Sequence, residues 1–444
     1  MDRSVPPKLL EQLSKAADLV RGHEFIHIVS HYDADGLSSA AILTKTLLRE
    51  GKEFCVTLLT TLDDDTFREI SSSNADCIIL SDLGASYVKE LDDLKQDVVV
   101  LDHHTPEDRA ERICYINPHL HGIDGMKYGC GATMSCLFAI GMNDKNWDLV
   151  QIAFAGISGD RQDMDGLNGY LLDGGIERGL VKVVEGSVVP FGKLTDNLFL
   201  STEPYVRGVS GNADGVAALL TEGGISRDAE SQNLSEAEKR KLSSLIVLKL
   251  IEQGVAAETV ERIAGEKYSL RDWDLDSAGL ASILDGCGRN GLTGLGVAVG
   301  CGDTDSIASA KETEKEYRRN VILGAAELDN RGLTEETHIQ WFDSSSSGYT
   351  GVLCGVAMSY FSNPLKPTFG INTSEEIGKV SGRATDKLMS RGVDLSVALK
   401  KACSAVGGSG GGHRVASGGS FPSEKKEEFL SLLNKIIGEQ FSAR

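Results

Sequence analysis

None of the nine cysteines stands in a C-x-x-C pair, and no apolar run approaches the ~20 residues that span a bilayer. The first absence excludes zinc-finger spacing and a secreted disulfide framework; the second excludes a transmembrane helix. The opening stretch MDRSVPPKLLEQL has no apolar signal core, so secretion is not expected. Several cysteines lie inside apolar runs such as DCIILSD, where a reduced thiol serves as a small hydrophobe. A reducing, cytoplasmic setting is therefore expected. Positive charge is scarce: 45 Lys and Arg face 65 Asp and Glu, a net charge of −20. A broad basic surface for nucleic acid is thereby excluded, and any such contact must use a local basic patch or bound cations. Aromatic residues, at 6%, leave little material for an extended base-stacking channel. Internal repeats and low-complexity tails are also missing.

What remains is a globular composition, 41% hydrophobic and 25% charged. At 444 residues the chain exceeds one ordinary core, so two or three domains are expected. Residues 1–22 form an amphipathic helix by spacing, with Leu9, Leu10, Leu13, Ala17 and Val20 on one side. Strand-like runs follow at 25–30 (FIHIVS), 54–59 (FCVTLL), 76–81 (DCIILS) and 97–101 (DVVVL), with a helix over 38–51. This alternation predicts a doubly wound parallel α/β sheet. Residues 129–159 have a helical pattern. Further on, 233–254 predicts a helix with Ser235 as N-cap, Glu238 at the capping-box position and Gly254 at its end. A second long helix is expected over 305–331. Short strands return at 351–361 (GVLCGVAMSYF) and 367–371 (PTFGI), before a glycine-rich turn at 407–419 and a terminal helix near 423–441.

The chemistry concentrates where the strands end. SHYDADGLSSA (30–40) follows the first strand and offers His31, Asp33 and Asp35, with Gly36 freeing the backbone to enter a helix. SDLG (81–84) offers Asp82, LDHHTPED (101–108) offers Asp102, His103 and His104, and SGDRQDMDG (158–166) offers Asp160. Each alone has a plain structural reading: Asp82 is a turn residue, and the His pair is bonded to neighbouring carbonyls. Together they converge on the crevice outside the carboxyl ends of a parallel sheet, where ligands bind. Carboxylates crowded there repel one another and require cations. Mixed His and carboxylate donors suit Mn²⁺, ahead of Zn²⁺, Co²⁺ or Mg²⁺. About seven ligands are enough for two metals bridged by one aspartate, an arrangement that serves phosphoester hydrolysis.

A second signal is VGGSGGGHRVASGG (406–419). Successive small residues, Gly411 and Gly412 among them, expose backbone N–H groups as an anion nest, and His413 and Arg414 add donors. No Lys-Ser/Thr follows the glycines, so this is not a P-loop. Upstream, residues 379–403 carry six basic residues (Lys379, Arg383, Lys387, Arg391, Lys400, Lys401) against Asp386 and Asp394. A solvated helix face explains them as well as phosphate contact does, and Arg383 is the first candidate for the latter. Asp63, Asp64 and Asp65 fit a turn and helix start, His119 and His121 a loop, and Cys130 and Cys136 packing.

The order H-x-D-x-D-G, D-L-G, D-H-H, G-D and a C-terminal G-G-G-H resembles the DHH–DHHA1 phosphoesterases. Within that family the length, the S-G-R-A-T segment and a helical connector resemble the archaeal RecJ-like nucleases, including the GINS-associated nuclease. The resemblance implies a DHH catalytic domain over 1–195, a helical connector over 196–330 and a smaller α/β DHHA1 domain over 331–444, with the active site in the interdomain cleft. By it, His31, Asp33 and Asp82 hold one metal, and Asp35, Asp82, His103 and Asp160 the other, with Asp82 as the bridge. His104 faces the substrate phosphate, and Asp102 is either a ligand or an orienting residue. His413 and Arg383, beside Gly411, Gly412 and Arg414, grip a phosphate of the chain end. The implied activity is a Mn²⁺-dependent exonuclease on single-stranded DNA or RNA, releasing 5′-mononucleotides, with Mg²⁺ or Co²⁺ as substitutes and GINS as a partner. Alternatives are a nanoRNase or cyclic-dinucleotide phosphodiesterase, a 3′-phosphoadenosine 5′-phosphate phosphatase, and a replication scaffold without catalysis.

Overall fold

The computed structural model describes residues 2–346 and 348–442, which separate into two compact units. The first comprises the chain up to 185 together with 266–317; the second comprises 186–265 and the chain from 318 onward. The stretch 196–330, expected as one connector, is divided between them.

In the first unit, helix α1 (Pro7–Arg21) precedes strand β1 (Phe25–His31), helix α2 (Ala34–Arg49) and strands β2 (Glu53–Leu59), β3 (Cys77–Ser81), β4 (Asp97–Leu101) and β5 (Cys114–Ile116). All pairings are parallel, in the order β2-β1-β3-β4-β5. The apolar runs are continuous because both faces of the sheet are covered. Cys77 and Ile79 point into one core, shared with α1 and α2, while Ile78 and Leu80 point into the other. Helices α3 (Gly131–Met142), α4 (Val150–Gly159) and α5 (Gly166–Glu177) join the first of these cores. Strands β6 (Val181–Val184) and β7 (Lys267–Leu270) form an antiparallel pair, and helix α6 (Ser277–Arg289) packs on α4 and α2. The boundary at residue 317 falls within helix α7 (Thr304–Arg331). Because β2 and β3 flank β1, the connections leave β1 and β3 toward opposite sides and open a crevice at their carboxyl ends.

The second unit carries a mixed six-stranded sheet ordered β12-β13-β11-β10-β9-β8, from β8 (Thr334–Glu335), β9 (Gln340–Asp343), β10 (Thr368–Asn372), β11 (Ile377–Arg383), β12 (Ser409–Gly412) and β13 (Ala416–Pro422). Helices α8 (Thr350–Tyr360), α9 (Leu395–Ala405) and α10 (Lys426–Ser442) accompany it. The helix Glu236–Glu252 begins at Ser235, whose side chain and that of Glu238 form a reciprocal capping box.

Two expectations are corrected. GVLCGVAMSYF forms helix α8 and its cap, not a strand: its apolar residues do not alternate, and eleven residues without a turn signal exceed ordinary strand length. The glycine-rich stretch 407–419 is mostly paired strand, β12 and β13, with Gly407, Gly408 and the turn His413–Val415 outside it. Its glycines have a packing cause. A Cβ on Gly419 would lie 2.6 Å from the Cys403 sulfur, and one on Gly410 would lie 2.8 Å from the Leu399 carbonyl, both on α9. A Cβ on Gly411 would meet nothing within 4 Å. Gly419→Ala is therefore expected to destabilise the protein by about 1–3 kcal/mol through overpacking. Gly411→Ala should leave the thermal midpoint nearly unchanged, and differential scanning calorimetry of both variants checks the contrast.

Candidate metal centre

β1 delivers His31 and α2 begins three residues later. Asp33 caps that helix through Oδ1, which accepts from the Gly36 N–H at 3.1 Å, and its Oδ2 faces His31 Nδ1 at 2.9 Å. Gly36 is required here, since a Cβ would lie 2.3 Å from the His31 carbonyl oxygen. Asp35, in the first turn of α2, accepts the N–H groups of Gly131 (2.7 Å) and Ala132 (2.8 Å) at the start of α3. This contact pins a carboxylate of one helix to the positive end of another.

Asp82 follows β3 with φ of 57°, a left-handed conformation that a non-glycine residue adopts at about 1–2 kcal/mol. The turn directs its two oxygens apart: Oδ2 lies 3.4 Å from His31 Nδ1, and Oδ1 lies 3.2 Å from His103 Nε2. Asp160, capping the end of α4, places Oδ2 3.3 Å from the same His103 nitrogen, and Asp35 is 3.8 Å from it. Asp102, after β4, accepts from the Ala85 N–H with Oδ2 (2.7 Å) and from the His103 N–H and His104 Nδ1 with Oδ1 (both 2.7 Å). With both oxygens engaged, Asp102 orients His104, whose ring is partly exposed beside that of His103.

Donor atoms within 4.8 Å of one another form three groups: His31–Asp33–Asp82, Asp35–His103–Asp160, and Asp82–Asp102–His103–His104. Imidazole nitrogens and carboxylate oxygens in this mixture fit divalent cations of the Mn²⁺ or Mg²⁺ kind, with Asp82 between two of the groups. The electrostatics express the same demand. Burial, reinforced by Asp82 and opposed by His103, pushes Asp35 up to about 7. Burial and then Asp35 raise Asp160 well above the usual carboxylate range. Burial opposes charge on His103 and His31, but Asp82 with Asp160, and Asp33 with Asp82, override it and raise both rings well above 6.5. Burial would raise Asp82 too, yet the hydrogen bonds of His103 and His31 hold it below the ordinary range. Asp102 stays near 2, where His104 outweighs burial.

The expected substrate contacts lie in the second unit, on neighbouring strand ends. Arg383 closes β11 opposite Ala416, Gly412 of β12 pairs with Ser417, and His413 sits in the turn with its N–H donating to Ala416 at 2.8 Å. Arg414 pairs with Asp394 at 3.1 Å. Asp63 caps the helix Asp64–Ser71, His121 bonds Gln12, and Cys130 and Cys136 are buried. Two sets of residues near the centre carry no motif spacing. Arg289 holds its guanidinium 5.7 Å over the Tyr32 ring, which meets His31 edge-on at 4.7 Å. Gln162 and Gly125 support His103 from behind.

A parallel sheet whose strand ends gather carboxylates and imidazoles is able to hold divalent cations at that edge. Residues 25–169 match the DHH family, N-terminal domain, and residues 345–439 match the DHHA1 domain. The chain belongs to the DHH–DHHA1 family and has a RecJ-like fold. It is 29% identical over 446 residues to the uncharacterized protein MJ0831 of Methanocaldococcus jannaschii, covering 98% of each. Its fold is similar to RecJ of Thermus thermophilus in complex with Mn²⁺ (TM-score 0.62, 17% identity), with 99% of this chain spanning 56% of that one. It is also similar to CDC45 of Entamoeba histolytica (TM-score 0.64, 12% identity), over 97% of this chain and 99% of that one. Among the described residues no helix is long and apolar enough to cross a membrane.

Ligation requires deprotonated carboxylates and neutral imidazoles, and Asp35, His31 and His103 all hold protons more tightly than usual. Raised pKa values favour the protonated forms as pH falls, so Mn²⁺ affinity should climb between about pH 6 and 8, with proton release. Calorimetric titration in two buffers of different ionisation enthalpy measures both quantities.

Proposed function

We propose that the protein is a RecJ-like exonuclease that hydrolyses single-stranded DNA or RNA to 5′-mononucleotides with two Mn²⁺ ions, for which Mg²⁺ or Co²⁺ can substitute. The observation that carries this reading is Asp82, whose oxygens face His31 on one side and His103 on the other. His31, Asp33 and Asp82 would hold one ion, and Asp35, Asp82, His103 and Asp160 the second. Bound there, the ions supply an activated water and charge stabilisation at the phosphate. Asp102 fixes His104 so that the far side of its ring can donate to a phosphate oxygen. Arg383, His413 and Arg414, with the Gly411 and Gly412 backbone, offer donors for a phosphate of the chain end.

End-labelled single strands of about 20 nucleotides, digested with Mn²⁺ beside dinucleotides, cyclic dinucleotides and 3′-phosphoadenosine 5′-phosphate, test the reading. Progressive shortening of the long strands is expected. Cleavage confined to the small substrates would instead make this a nanoRNase or phosphatase. Asp82→Ala should lower turnover by at least about 10²–10³-fold, the scale of losing a transition-state stabiliser. His413→Ala should raise KM about tenfold, the equivalent of one charge-assisted hydrogen bond, while Mn²⁺ binding is retained.

A second reading, a replication scaffold docked on GINS, is favoured by the fold likeness to CDC45 over nearly the whole of both chains. The net charge of −20 suits a protein partner better than bulk DNA. Capture by GINS without turnover on any of these substrates would select it.

A further inference from the structure

Behind the metal centre lies a set of neutral polar side chains buried in the core of the first unit. Gln162 is 9% exposed, and Asn168 and Thr133 are fully buried. Their hydrogen bonds leave one consistent assignment. Gln162 Oε1 accepts from the Gly129 N–H at 2.9 Å, and a backbone N–H can only donate, so this end of the amide is the oxygen. The other end, Nε2, then donates to the Gly125 carbonyl at 2.9 Å. Asn168 locks the orientation: its Nδ2 donates to Gln162 Oε1 at 3.0 Å and to the Asp163 carbonyl at 3.0 Å, while its Oδ1 accepts from the Thr133 hydroxyl at 2.6 Å. Turning Gln162 over would set its NH2 against the Gly129 N–H, and turning Asn168 over would set its oxygen against Gln162 Oε1 and the Asp163 carbonyl.

The Gly125 carbonyl also lies 2.9 Å from His103 Nδ1. A carbonyl only accepts, so Nδ1 must carry its proton, and Nε2 is the nitrogen turned toward Asp82, Asp160 and Asp35. Gly125 can serve in this way only without a side chain, because a Cβ would lie 2.5 Å from the His103 carbonyl oxygen. At its far end the network approaches a second acidic donor, with the Cys130 thiol between Thr133 Oγ1 (3.5 Å) and Asp35. The side chains of Gln162, Asn168 and Thr133 carry no charge.

We propose that Gln162, held by Asn168 and Thr133, is a positioning residue for the metal centre: through the Gly125 carbonyl it fixes the proton on His103 Nδ1 and aims Nε2 at the ion site. Partners of metal-bound imidazoles typically alter affinity 10–100-fold when removed. The inference rests on reading the carboxylate–imidazole cluster as a two-ion centre, and the test separates the two. Mn²⁺ is titrated into wild type, Gln162→Met, which keeps the volume and loses all three side-chain hydrogen bonds, and Asp160→Ala, which marks the His103 side. Wild type should bind two ions, and Gln162→Met should lose 10–100-fold at the site weakened in Asp160→Ala and nothing at the other. In parallel, the Co²⁺-loaded wild type should show a hyperfine-shifted, exchangeable Nδ1–H resonance that is absent in His103→Gln and exchanges faster in Gln162→Met. Unchanged affinity and exchange in Gln162→Met, with two ions bound by wild type, would overturn the inference alone. Fewer than two ions in wild type would overturn the two-ion reading and the inference with it. If Gln162→Met does not fold, Gln162→Asn, whose shorter amide cannot span Gly129 and Gly125, is held to the same outcomes.

Discussion

Asp35, Asp82, Asp102 and His103 are each no more than 2% exposed, so the repulsion among their carboxylates cannot be left to water. Each carboxylate is relieved by a different device. Asp35 takes two N–H groups from the start of α3, Asp102 takes backbone N–H groups from its own loop and from Ala85, and Asp33, at the rim, caps α2. Asp82 is held between two imidazoles and stands on a left-handed backbone. The N–H groups orient these side chains but supply only partial charge, and the protons retained by Asp35 and Asp160 make up part of the deficit. A pair of divalent ions would replace those protons and, on the proposed reading, let so acidic a protein approach a phosphodiester. The cations, rather than a basic surface, would bring the positive charge.

The first sheet was legible in the sequence because its central strands β1, β3 and β4 are buried on both faces, so that DVVVL and DCIIL appear as unbroken apolar runs ending in ligand-type residues. The donor groups were legible for the same reason: a parallel sheet brings successive strand ends to one edge, so His31, Asp82 and Asp102 are neighbours despite their separation along the chain. The second unit was harder. GVLCGVAMSYF has strand-like residues but helical length, and the sequence contains nothing to show that Gly410 and Gly419 face Cys403 and Leu399. Glycines chosen for close approach to a helix and glycines chosen for an anion nest look alike until the partner is known. Gln162, Asn168 and Arg289 stayed hidden because they act through a carbonyl or a neighbouring ring, and neither leaves a spacing pattern.

The same ambiguity surrounds the small residues of α3 and α4, whose GCGATMSC and IAFAGISG runs first suggest helix packing alone. A Cβ on Gly131 would lie 2.6 Å from the Asp82 Cβ and 2.9 Å from an Asp35 oxygen; one on Gly156 would lie 2.5 Å from the other Asp35 oxygen and from the Ala132 Cβ. These helices therefore come close enough for α3 to present its N–H groups to Asp35 only because side chains are missing at those positions. An alanine at 156 would have to displace either Asp35 or α3, and with α3 the N–H groups that hold Asp35 in place. Interiors this close-packed do not absorb such a shift locally. The small residues thus belong to the candidate metal centre as much as its carboxylates do: they set the distance at which a helix terminus can hold a buried charge.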